Sequence, residues 1–436
     1  MKQQKRNLEP YKRLIRFLTV AVLVLVLTLM FILVFRKYYN WGIVFPFYYK
    51  GYWLMGAFYA FFYAIFIHLF DGTKVGYLRI SNLSLSHGLA VMAANISIYL
   101  ETVLLSARFA NIWPIVLLTC IDAVFILIWG ILSAKLFRRL FPPRNVLLLY
   151  QEYDPMPLWK KVGTRSDRYH ILESYNVDEE WGMVVRKIDN YDAVFLCDIH
   201  SAVRNQLLKH CYERGIRAYI TPKISDIIIR SAETNHLFDT PLLLAKNEGL
   251  TFDQRVIKRA MDIVISAVAL IITSPIMLVI ALTIKLYDHG PVFFMQERCT
   301  VNGKVFKIHK FRSMIEGAEH EGEVIPATEE DERITPVGKF IRKTRLDELP
   351  QFIDILVGNM SVVGPRPERV EHVEQYTKEI PEFSYRMKVK GGLTGYAQIY
   401  GKYNTTAYDK LKLDLMYIQN YSVLTDLRLI IMTIKI

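Results

Sequence analysis

The sequence predicts a membrane protein in three parts. These are an α-helical transmembrane bundle at residues 1–144, an α/β Rossmann-like cytoplasmic domain at residues 145–250, and a mostly helical α/β domain at residues 251–436. Three observations predict this fold class: apolar segments of membrane-spanning length near the N-terminus, an alternation of short strands and helices after them, and a later apolar stretch with basic residues at both ends. The last of these predicts a re-entrant membrane helix at about residues 260–286.

Four apolar segments in the first third of the chain have close to the ~20 residues that a spanning helix needs. They are "LIRFLTVAVLVLVLTLMFILVF", "WLMGAFYAFFYAIFIHLF", "LSHGLAVMAANISIYLETVLL" and "IWPIVLLTCIDAVFILIWGIL". The third contains His87, Asn95 and Glu101, so we expect these polar groups to face other helices. The first is too long for the apolar part of a signal peptide and has no cleavage site, so we expect it to be retained.

The orientation follows from lysine and arginine near the segment ends. One side of the membrane receives Lys12, Arg13, Arg16, Lys74, Arg79, Lys135, Arg138, Arg139 and Arg144, and the other receives Arg36, Lys37, Lys50 and Arg108. The richer side predicts the cytoplasm, so four crossings place both ends of the chain there. The net charge of +12 suits anionic lipid and phosphate, and no nucleic-acid motif is visible. Four cysteines without disulfide or metal spacing fit a reducing compartment.

The middle of the chain alternates between strand and helix patterns. "NVLLLY", "DAVFLCDI" and "IRAYITP" have the composition of buried strands, and "AVRNQLLKHCYERG" that of a helix ending in glycine. This rhythm predicts a parallel α/β unit. The turn after the first strand, "YQEYDP", lacks the glycines that admit a dinucleotide, so a regulatory or assembly role is expected.

The segment "IVISAVALIITSPIMLVIALTI" is apolar for long enough to cross a bilayer but carries Ser274-Pro275 at its centre. Lys258 and Arg259 precede it and Lys285 follows it, so both flanks favour the cytoplasm. Proline removes one helical hydrogen bond, and the Ser274 hydroxyl can satisfy the carbonyl that this leaves. A helix broken at Ser274-Pro275 that returns to the same side meets these observations. A kinked fifth crossing is the alternative.

Two adjacent acids stand out in "RKTRLDELPQFIDIL". Asp347 and Glu348 precede Pro350, and a helical apolar pattern then runs to Gly358, a natural helix stop. Paired carboxylates at a helix start can hold Mg²⁺, and one can attack phosphorus. A plain helix cap is the structural alternative.

Basic residues surround this acidic pair in the sequence and favour a phosphate ligand. They are Lys310 and Arg312 in "KFRSM", Arg342 and Arg345 just before the acids, and Arg366 between two prolines. Together with the membrane-dipping helix, they indicate phosphoryl transfer at a bilayer surface.

The motifs "KRAMD", "GPVFFMQER", "KFRSM", "RKTRLDELPQ", "GNMSVVGPRPE" and "GLTGYAQ" resemble, in order and spacing, the bacterial sugar transferases. These are monotopic phosphoglycosyl transferases that initiate surface glycan assembly. The whole chain resembles their long form, which places four transmembrane helices and a Rossmann-like domain before the catalytic part. The resemblance implies a re-entrant helix and a catalytic domain on the cytoplasmic face of the bacterial inner membrane, and leaves a homodimer open.

By this resemblance, Asp347 attacks the sugar-bearing phosphate of a UDP-sugar, and Mg²⁺ is held by Asp347 and Glu348. Substrate binding falls on Lys310, Arg312, Arg342, Arg366 and Asp426. The implied reaction transfers a sugar-1-phosphate to polyprenyl (undecaprenyl) phosphate and releases UMP. Cys299 and Gly391 depart from the family pattern, which usually has Gly and Pro there.

Two other functions remain open at this stage. One is a lipid glycosyltransferase that releases UDP, although the DxD motif that such an enzyme normally needs is not found in the last third. The other is a non-catalytic membrane scaffold for glycan assembly.

Overall fold

The computed structural model of the chain describes residues 8–48, 50–246, 248–317, 331–401 and 405–434. Contacts divide the chain into two units, residues 1–221 and 222–436. The domain boundaries predicted at residues 144 and 250 stay a prediction.

Four long helices form the first part of the N-terminal unit: α1 (Lys12–Val34), α2 (Gly51–Leu69), α3 (Ile80–Ser106) and α4 (Trp113–Leu140). Each is long and apolar enough to cross a membrane. They bury one stripe of side chains against one another and leave large apolar side chains exposed on the outside, as expected for helices that face lipid. The buried stripe includes Leu23, Leu27, Phe31, Met55, Tyr59, Tyr63, Ala90, Ile98, Leu118 and Ile126. The predicted helical N-terminal region is confirmed.

His87 and Asn95 of α3 face inward, as the sequence predicts for a spanning helix, whereas Glu101 is only partly buried. His87 is fully buried; its Nδ1 accepts a hydrogen bond from the Tyr63 hydroxyl at 2.7 Å, and its Nε2–H donates to the Gly72 carbonyl at 3.0 Å. The Asn95 amide donates to the Thr119 hydroxyl at 2.8 Å. Such pairing is needed because a polar group without a partner is costly inside a membrane.

A four-stranded parallel sheet completes this unit. Its strands are β1 (Arg144–Tyr150), β2 (Tyr169–Asn176), β3 (Ala193–Cys197) and β4 (Arg217–Ile220), in the order β2-β1-β3-β4. Helices α5 (Met156–Gly163), α6 (Trp181–Ile188) and α7 (Ser201–Glu213) connect them. The two central strands are almost wholly buried, which is typical of a parallel sheet covered on both faces. The predicted parallel α/β domain is confirmed; its Rossmann-like character stays a prediction.

In its described residues, the C-terminal unit is mostly helical, with three pairs of short strands. It begins with α8 (Ile224–Arg230), the hairpin β5 (Glu233–Leu237) and β6 (Thr240–Leu244), and the long helix α9 (Phe252–Asp288). A second hairpin follows, β7 (Phe293–Cys299) and β8 (Val305–Phe311). The remaining elements are α10 (Pro336–Lys343), α11 (Gln351–Val357), β9 (Ser361–Val363), α12 (Val370–Glu379), β10 (Gly392–Thr394), α13 (Tyr396–Tyr400), α14 (Ala407–Gln419) and α15 (Val423–Ile434), with β9 and β10 parallel.

Helix α9 is the fifth helix long and apolar enough to cross a membrane, and its most apolar part is largely exposed. It continues through Pro275, so the Ser-Pro pair does not end the helix, and the re-entrant path stays a prediction. The Ser274 hydroxyl donates to the carbonyl of Ile271 at 2.9 Å. That carbonyl is the one which the missing N–H of Pro275 would have bonded in a regular helix. The predicted role of the Ser274 hydroxyl is therefore confirmed.

The first turns of α9 dock on the core of this unit through the charged residues of "KRAMD". Lys258 Nζ lies 2.6 Å from an Asp426 carboxylate oxygen, and Arg259 donates to the carbonyls at the end of α11, at 2.7 Å each. One oxygen of Asp262 accepts from the Ser361 hydroxyl and the Val362 N–H, both at 2.9 Å. These contacts fix the entry of the apolar helix against strand β9.

We expect Asp262→Ala to lower the free energy of unfolding by about 3 kcal/mol, because it leaves two buried donors unsatisfied. Asp262→Asn should lose about 1 kcal/mol, since its amide oxygen can still accept both hydrogen bonds. Thermal unfolding of the purified variants in detergent measures the difference. Equal losses in the two variants would show that these hydrogen bonds do not hold α9.

Candidate active site

Glu348 is the centre of a charge cluster built from three separate segments. It ends a short 3₁₀ turn (Leu346–Glu348), while Lys310 comes from β8 and Arg366 from the loop after β9. One carboxylate oxygen of Glu348 accepts from Lys310 Nζ at 3.0 Å and from Arg366 Nη2 at 2.5 Å. Both donors are charged, so these are strong hydrogen bonds that fix the carboxylate.

Close backbone approach holds the loop that carries Arg366. A Cβ on Gly392, in β10, would lie 2.0 Å from the backbone nitrogen of Gly364, and one on Gly364 would lie 2.4 Å from the carbonyl oxygen of Lys390. Only glycine permits this approach. A Cβ at Gly391, which departs from the family pattern, would lie 2.6 Å from the Pro367 ring. The loop that carries Arg366 therefore packs closely against strand β10 and the residues just before it.

Asp347 occupies the same turn but has different surroundings. In the described parts of the chain, no side chain donates a hydrogen bond to its carboxylate. Arg345, which precedes the turn, has a left-handed backbone with φ of 57°. The acids thus form their own turn three residues before α11, rather than the first turn of that helix. The predicted stop at Gly358 is confirmed, since Gly358 caps α11 with φ of 101°.

The pKa values of the two carboxyl groups are shifted in opposite directions. Burial raises the pKa of Asp347, and the neighbouring Glu348 charge adds to the rise, against the opposing charges of Lys310 and Arg342. Burial also disfavours the charged form of Glu348, but Arg366 and Lys310 outweigh it and hold the pKa of Glu348 well below its usual range. Glu348 is therefore a firmly ionised anchor, and Asp347 is a carboxylate in a less favourable setting.

These residues line a cavity of about 1210 Å³. Its described lining contains nine lysines and arginines but only three acids, Glu316, Asp347 and Glu348. The cations are Arg298, Lys310, Arg312, Arg333, Arg342, Arg345, Arg366, Arg369 and Lys410. Such an excess of positive charge suits a ligand with several phosphates.

The structure brings most of the predicted site residues together. Asp347, Glu348, Lys310, Arg312, Arg342 and Arg366 all line this cavity. Arg312 also pairs with Asp288 at the end of α9, which places the cavity beside that end of the apolar helix.

Asp426 is not among the described residues that line the cavity. It is buried with Lys258, and it accepts from the Tyr417 hydroxyl at 2.8 Å. Burial raises its pKa, against the lowering effect of Lys258. In this position Asp426 holds α9 to the core, and its expected substrate-binding role stays a prediction.

Sequence reasoning gave no role to Arg298, Arg333, Arg369 or Lys410, although all four line the cavity. Arg298 could have been found from strand periodicity. The register of β7 and β8 pairs Phe294 with Lys310, so Gln296 and Arg298 share the face of Lys310. The other three come from segments that the sequence alone does not bring together.

Asp347 and Glu348 can hold a magnesium ion only if a substrate supplies further ligands. The described residues contain no group of three or more His, Cys, Asp or Glu side chains that could hold a metal. Mg²⁺ is commonly held by one or two carboxylates with substrate phosphates completing the shell. Asp347 and the second oxygen of Glu348 can supply the carboxylate share, so the residues fit an ion that arrives with a phosphorylated substrate.

The fold and the cavity define a membrane protein with a cation-lined cavity that contains two adjacent carboxylates. Residues 253–436 match the family described as Bacterial sugar transferase. The chain is 34% identical over 302 residues to the UDP-N-acetylgalactosamine-undecaprenyl-phosphate N-acetylgalactosaminephosphotransferase of Aeromonas hydrophila, with 68% of each protein covered. The chain belongs to the bacterial sugar transferase family.

Two further relatives show how the similarity is distributed. The UDP-glucose:undecaprenyl-phosphate glucose-1-phosphate transferase of Escherichia coli K12 is 39% identical over 288 residues, which cover 65% of this chain and 60% of that protein. The chain therefore spans less than two thirds of the length of the Escherichia coli protein. The exopolysaccharide production protein PSS of Rhizobium leguminosarum bv. phaseoli is 39% identical over 187 residues, or 94% of its length and 41% of this chain.

The opposite pKa shifts predict opposite effects on stability. Because the pKa of Asp347 is raised, its ionised form weakens the fold, so Asp347→Asn should raise the unfolding temperature at pH 7. This gain should vanish as the pH falls through the raised pKa, where the wild-type carboxyl group also becomes neutral.

Glu348→Gln should do the reverse and cost about 1–3 kcal/mol at pH 7, because Lys310 and Arg366 lose a charged acceptor. This loss should persist down to about pH 4 and shrink only at lower pH, as the pH falls toward the depressed pKa of Glu348. Unfolding curves from pH 8 to pH 4 should therefore show the gain of Asp347→Asn declining while the loss of Glu348→Gln stays unchanged. Destabilisation by Asp347→Asn at pH 7 would contradict the assignment for Asp347.

Proposed function

We propose that the chain transfers a sugar-1-phosphate from a UDP-sugar to polyprenyl phosphate and releases UMP, as the first membrane step of surface polysaccharide assembly. The observation that carries the proposal is the pairing of Asp347 with Glu348 in the cation-lined cavity. Lys310 and Arg366 hold Glu348, while Asp347 has no donor side chain in the described residues. The names of the Escherichia coli and Aeromonas hydrophila relatives support this reaction class. They specify different sugars, so the proposal is for UDP-sugars as a class.

The chemistry proceeds in two displacements at phosphorus. A carboxylate oxygen of Asp347 attacks the sugar-bearing phosphorus, and the bond to the bridging oxygen breaks, so that UMP leaves with the electron pair. The product on the enzyme is an aspartyl-phosphosugar, a mixed anhydride. An oxygen of polyprenyl phosphate then attacks the same phosphorus. This step gives polyprenyl-diphospho-sugar and returns the Asp347 carboxylate.

The surrounding charges suit each step. Burial without a donor side chain leaves the Asp347 oxygens available to attack. Glu348 holds Lys310 and Arg366 in place, and the other cations can neutralise charge on the phosphate oxygens in the transition state. When bound by Asp347, Glu348 and substrate phosphates, Mg²⁺ would supply further neutralisation of the diphosphate.

The lipid substrate requires a site near the bilayer surface, and the packing of α9 supports a re-entrant path for this helix. Ile265, before the Ser-Pro pair, packs against one apolar core of the C-terminal unit, and Ile280, after it, packs with Phe311 and Ile341 in another. Both halves of α9 therefore contact the same unit, as a helix that enters the bilayer and returns to the same side would require.

The cellular setting of the proposal is the cytoplasmic face of the bacterial inner membrane, where a UDP-sugar is available. Basic residues at both ends of α9 favour this face. Homodimer formation stays a prediction.

Purified protein with a panel of UDP-sugars and polyprenyl phosphate should release UMP. We expect Asp347→Asn to reduce turnover by about a thousandfold or more, because no carboxylate is left to attack phosphorus. Release is measured by separating UMP from UDP on an ion-exchange column. The control variant is Asp409→Asn, a partly exposed acid at the start of α14 that lies outside the described lining of the cavity.

The identity of the released nucleotide and the turnover of Asp347→Asn distinguish the proposed reaction from the alternative functions. UDP release would identify an ordinary glycosyltransferase instead. A folded protein that releases neither nucleotide from any UDP-sugar would support the scaffold function. Turnover of Asp347→Asn within tenfold of wild type would remove Asp347 from the nucleophile role.

Cysteine labelling tests the path of α9 in intact cells. In a chain without its four native cysteines, Glu248→Cys and Lys304→Cys place exposed thiols before and after the helix. Both should resist an impermeant maleimide until the cells are opened, because both flanks lie in the cytoplasm. Phe109→Cys, exposed between α3 and α4, is the matched control and should be labelled from outside. Labelling of Lys304→Cys from outside, with Glu248→Cys protected, would establish a fifth crossing.

A further inference from the structure

A second cavity, of about 400 Å³, lies in the N-terminal unit at one end of the helical bundle. Its walls come from the start of α1, the loop before α3, the start of α3, the end of α4 and the entry to the α/β sheet. Because three apolar helices begin or end here, the cavity lies at the level of a bilayer surface. The orientation predicted from the sequence places this end on the cytoplasmic side.

The lining of this cavity contains more basic than acidic side chains. Its lining contains Lys12, Arg79, Arg138, Arg144 and Arg168, but only one acid, Asp167. Asp167 forms an ion pair with Arg165 at 2.9 Å, and Arg144 forms an ion pair with Glu9 at 2.5 Å. Among the residues that the structure describes, no carboxylate lies within 4.0 Å of Arg79, Arg138 or Arg168. Three guanidinium groups therefore share one cavity without a counter-ion.

Neighbouring groups hold two of these arginines in place. Arg79 donates to the Thr164 carbonyl at 3.1 Å, and the Arg168 guanidinium lies 4.4 Å from the centre of the Tyr77 ring. Burial raises the pKa of Tyr77, but a hydrogen bond from Arg16 and the charges of Lys12 and Arg168 outweigh it, and the net shift is downward. The local field at this end of the bundle therefore favours an anion.

One wall of the cavity is apolar. Leu83 on α3 and Ala134 and Phe137 on α4 face it, and they lie within the first or last two turns of helices long enough to cross a membrane. Gly76 lets the loop before α3 approach this wall: its φ is 75°, and a Cβ there would lie 2.6 Å from the Phe137 ring. The cavity thus combines a charged mouth with an apolar side, which matches the two ends of a lipid molecule.

We propose that this cavity binds an acidic phospholipid of the surrounding bilayer, with the headgroup phosphate between Arg79, Arg138 and Arg168 and the start of an acyl chain against Leu83 and Phe137. Guanidinium groups suit a phosphate, basic pockets at the cytoplasmic ends of transmembrane helices recognise anionic headgroups, and the volume lies within the range of small-ligand sites. The site is separate from the cavity around Glu348 and does not depend on the proposed reaction.

Native mass spectrometry of the full chain in neutral detergent tests the proposal. Dioleoyl-phosphatidylglycerol and dioleoyl-phosphatidylcholine share their acyl chains and differ in headgroup charge. We expect one phosphatidylglycerol to bind at least tenfold more tightly than phosphatidylcholine. Inorganic phosphate at millimolar concentration should fail to displace it, because phosphate lacks the acyl chain that contacts the apolar wall.

A pair of matched double variants locates the site. Arg79→Gln with Arg138→Gln should weaken phosphatidylglycerol binding about twenty-fivefold, at about fivefold for each charge, and leave phosphatidylcholine binding unchanged. Lys135→Gln with Arg139→Gln removes two charges from the same end of α4, outside the described lining of the cavity. This control should stay within twofold of wild type. If the first double variant does not fold, the single variants Arg138→Gln and Arg139→Gln are compared instead, because these neighbouring residues are both exposed.

Each remaining outcome overturns the proposal. Equal binding of the two lipids by wild-type protein would show that the cavity does not select an acidic headgroup. Equal losses in the two double variants would reduce the effect to general surface charge. Displacement by inorganic phosphate would assign the cavity to a soluble anion in place of a lipid.

Discussion

The buried pair of Lys258 and Asp426 joins the apolar helix α9 to the rest of its unit, and the candidate active site depends on that junction. Both side chains are almost fully buried, so either one alone would be an uncompensated charge in the interior. One turn further along α9, Asp262 bonds to strand β9. The loop after β9 carries Arg366, which bonds to Glu348. At its other end, α9 meets Arg312 of the cavity lining. The membrane helix and the carboxylates are thus connected at two places through charged contacts.

Adjacent carboxylates with opposite environments are the chemical outcome of this arrangement. Asp347 and Glu348 share one turn, yet Glu348 reaches two cations and Asp347 is bonded to neither. The difference arises because Lys310, on a strand that precedes the turn in sequence, and Arg366, in a loop that follows it, both donate to the same oxygen of Glu348. One group can then organise the positive charge while its neighbour stays available for chemistry. This division of roles is familiar from other sites that use paired acids.

Sequence reasoning succeeded where the governing interactions are local. The four apolar helices, the glycine cap of α11 and the Ser274 hydroxyl bond each depend on residues within a few positions of one another. It was incomplete where distant segments meet. Lys258 and Asp426 are 168 residues apart, and no periodicity relates them. The same holds for Arg369 and Lys410 in the cavity wall. Asp426, to which the family resemblance assigns substrate binding, also contacts Lys258 of α9, and no local pattern predicts that contact.

The backbone crossing of Gly364 and Gly392 divides the neighbourhood of the site into fixed and adjustable parts. No side chain of any size fits at either glycine, because the obstacle is main chain on the opposite strand. Arg333 and Arg369, by contrast, line the same cavity through their side chains, whereas Gln398 donates a hydrogen bond to the Gly364 carbonyl and so belongs to the fixed part. Substitutions that change the lining of the cavity while keeping the glycine crossing would therefore be made at Arg333 and Arg369. The turn that carries Asp347 and Glu348 would keep its position in every such variant.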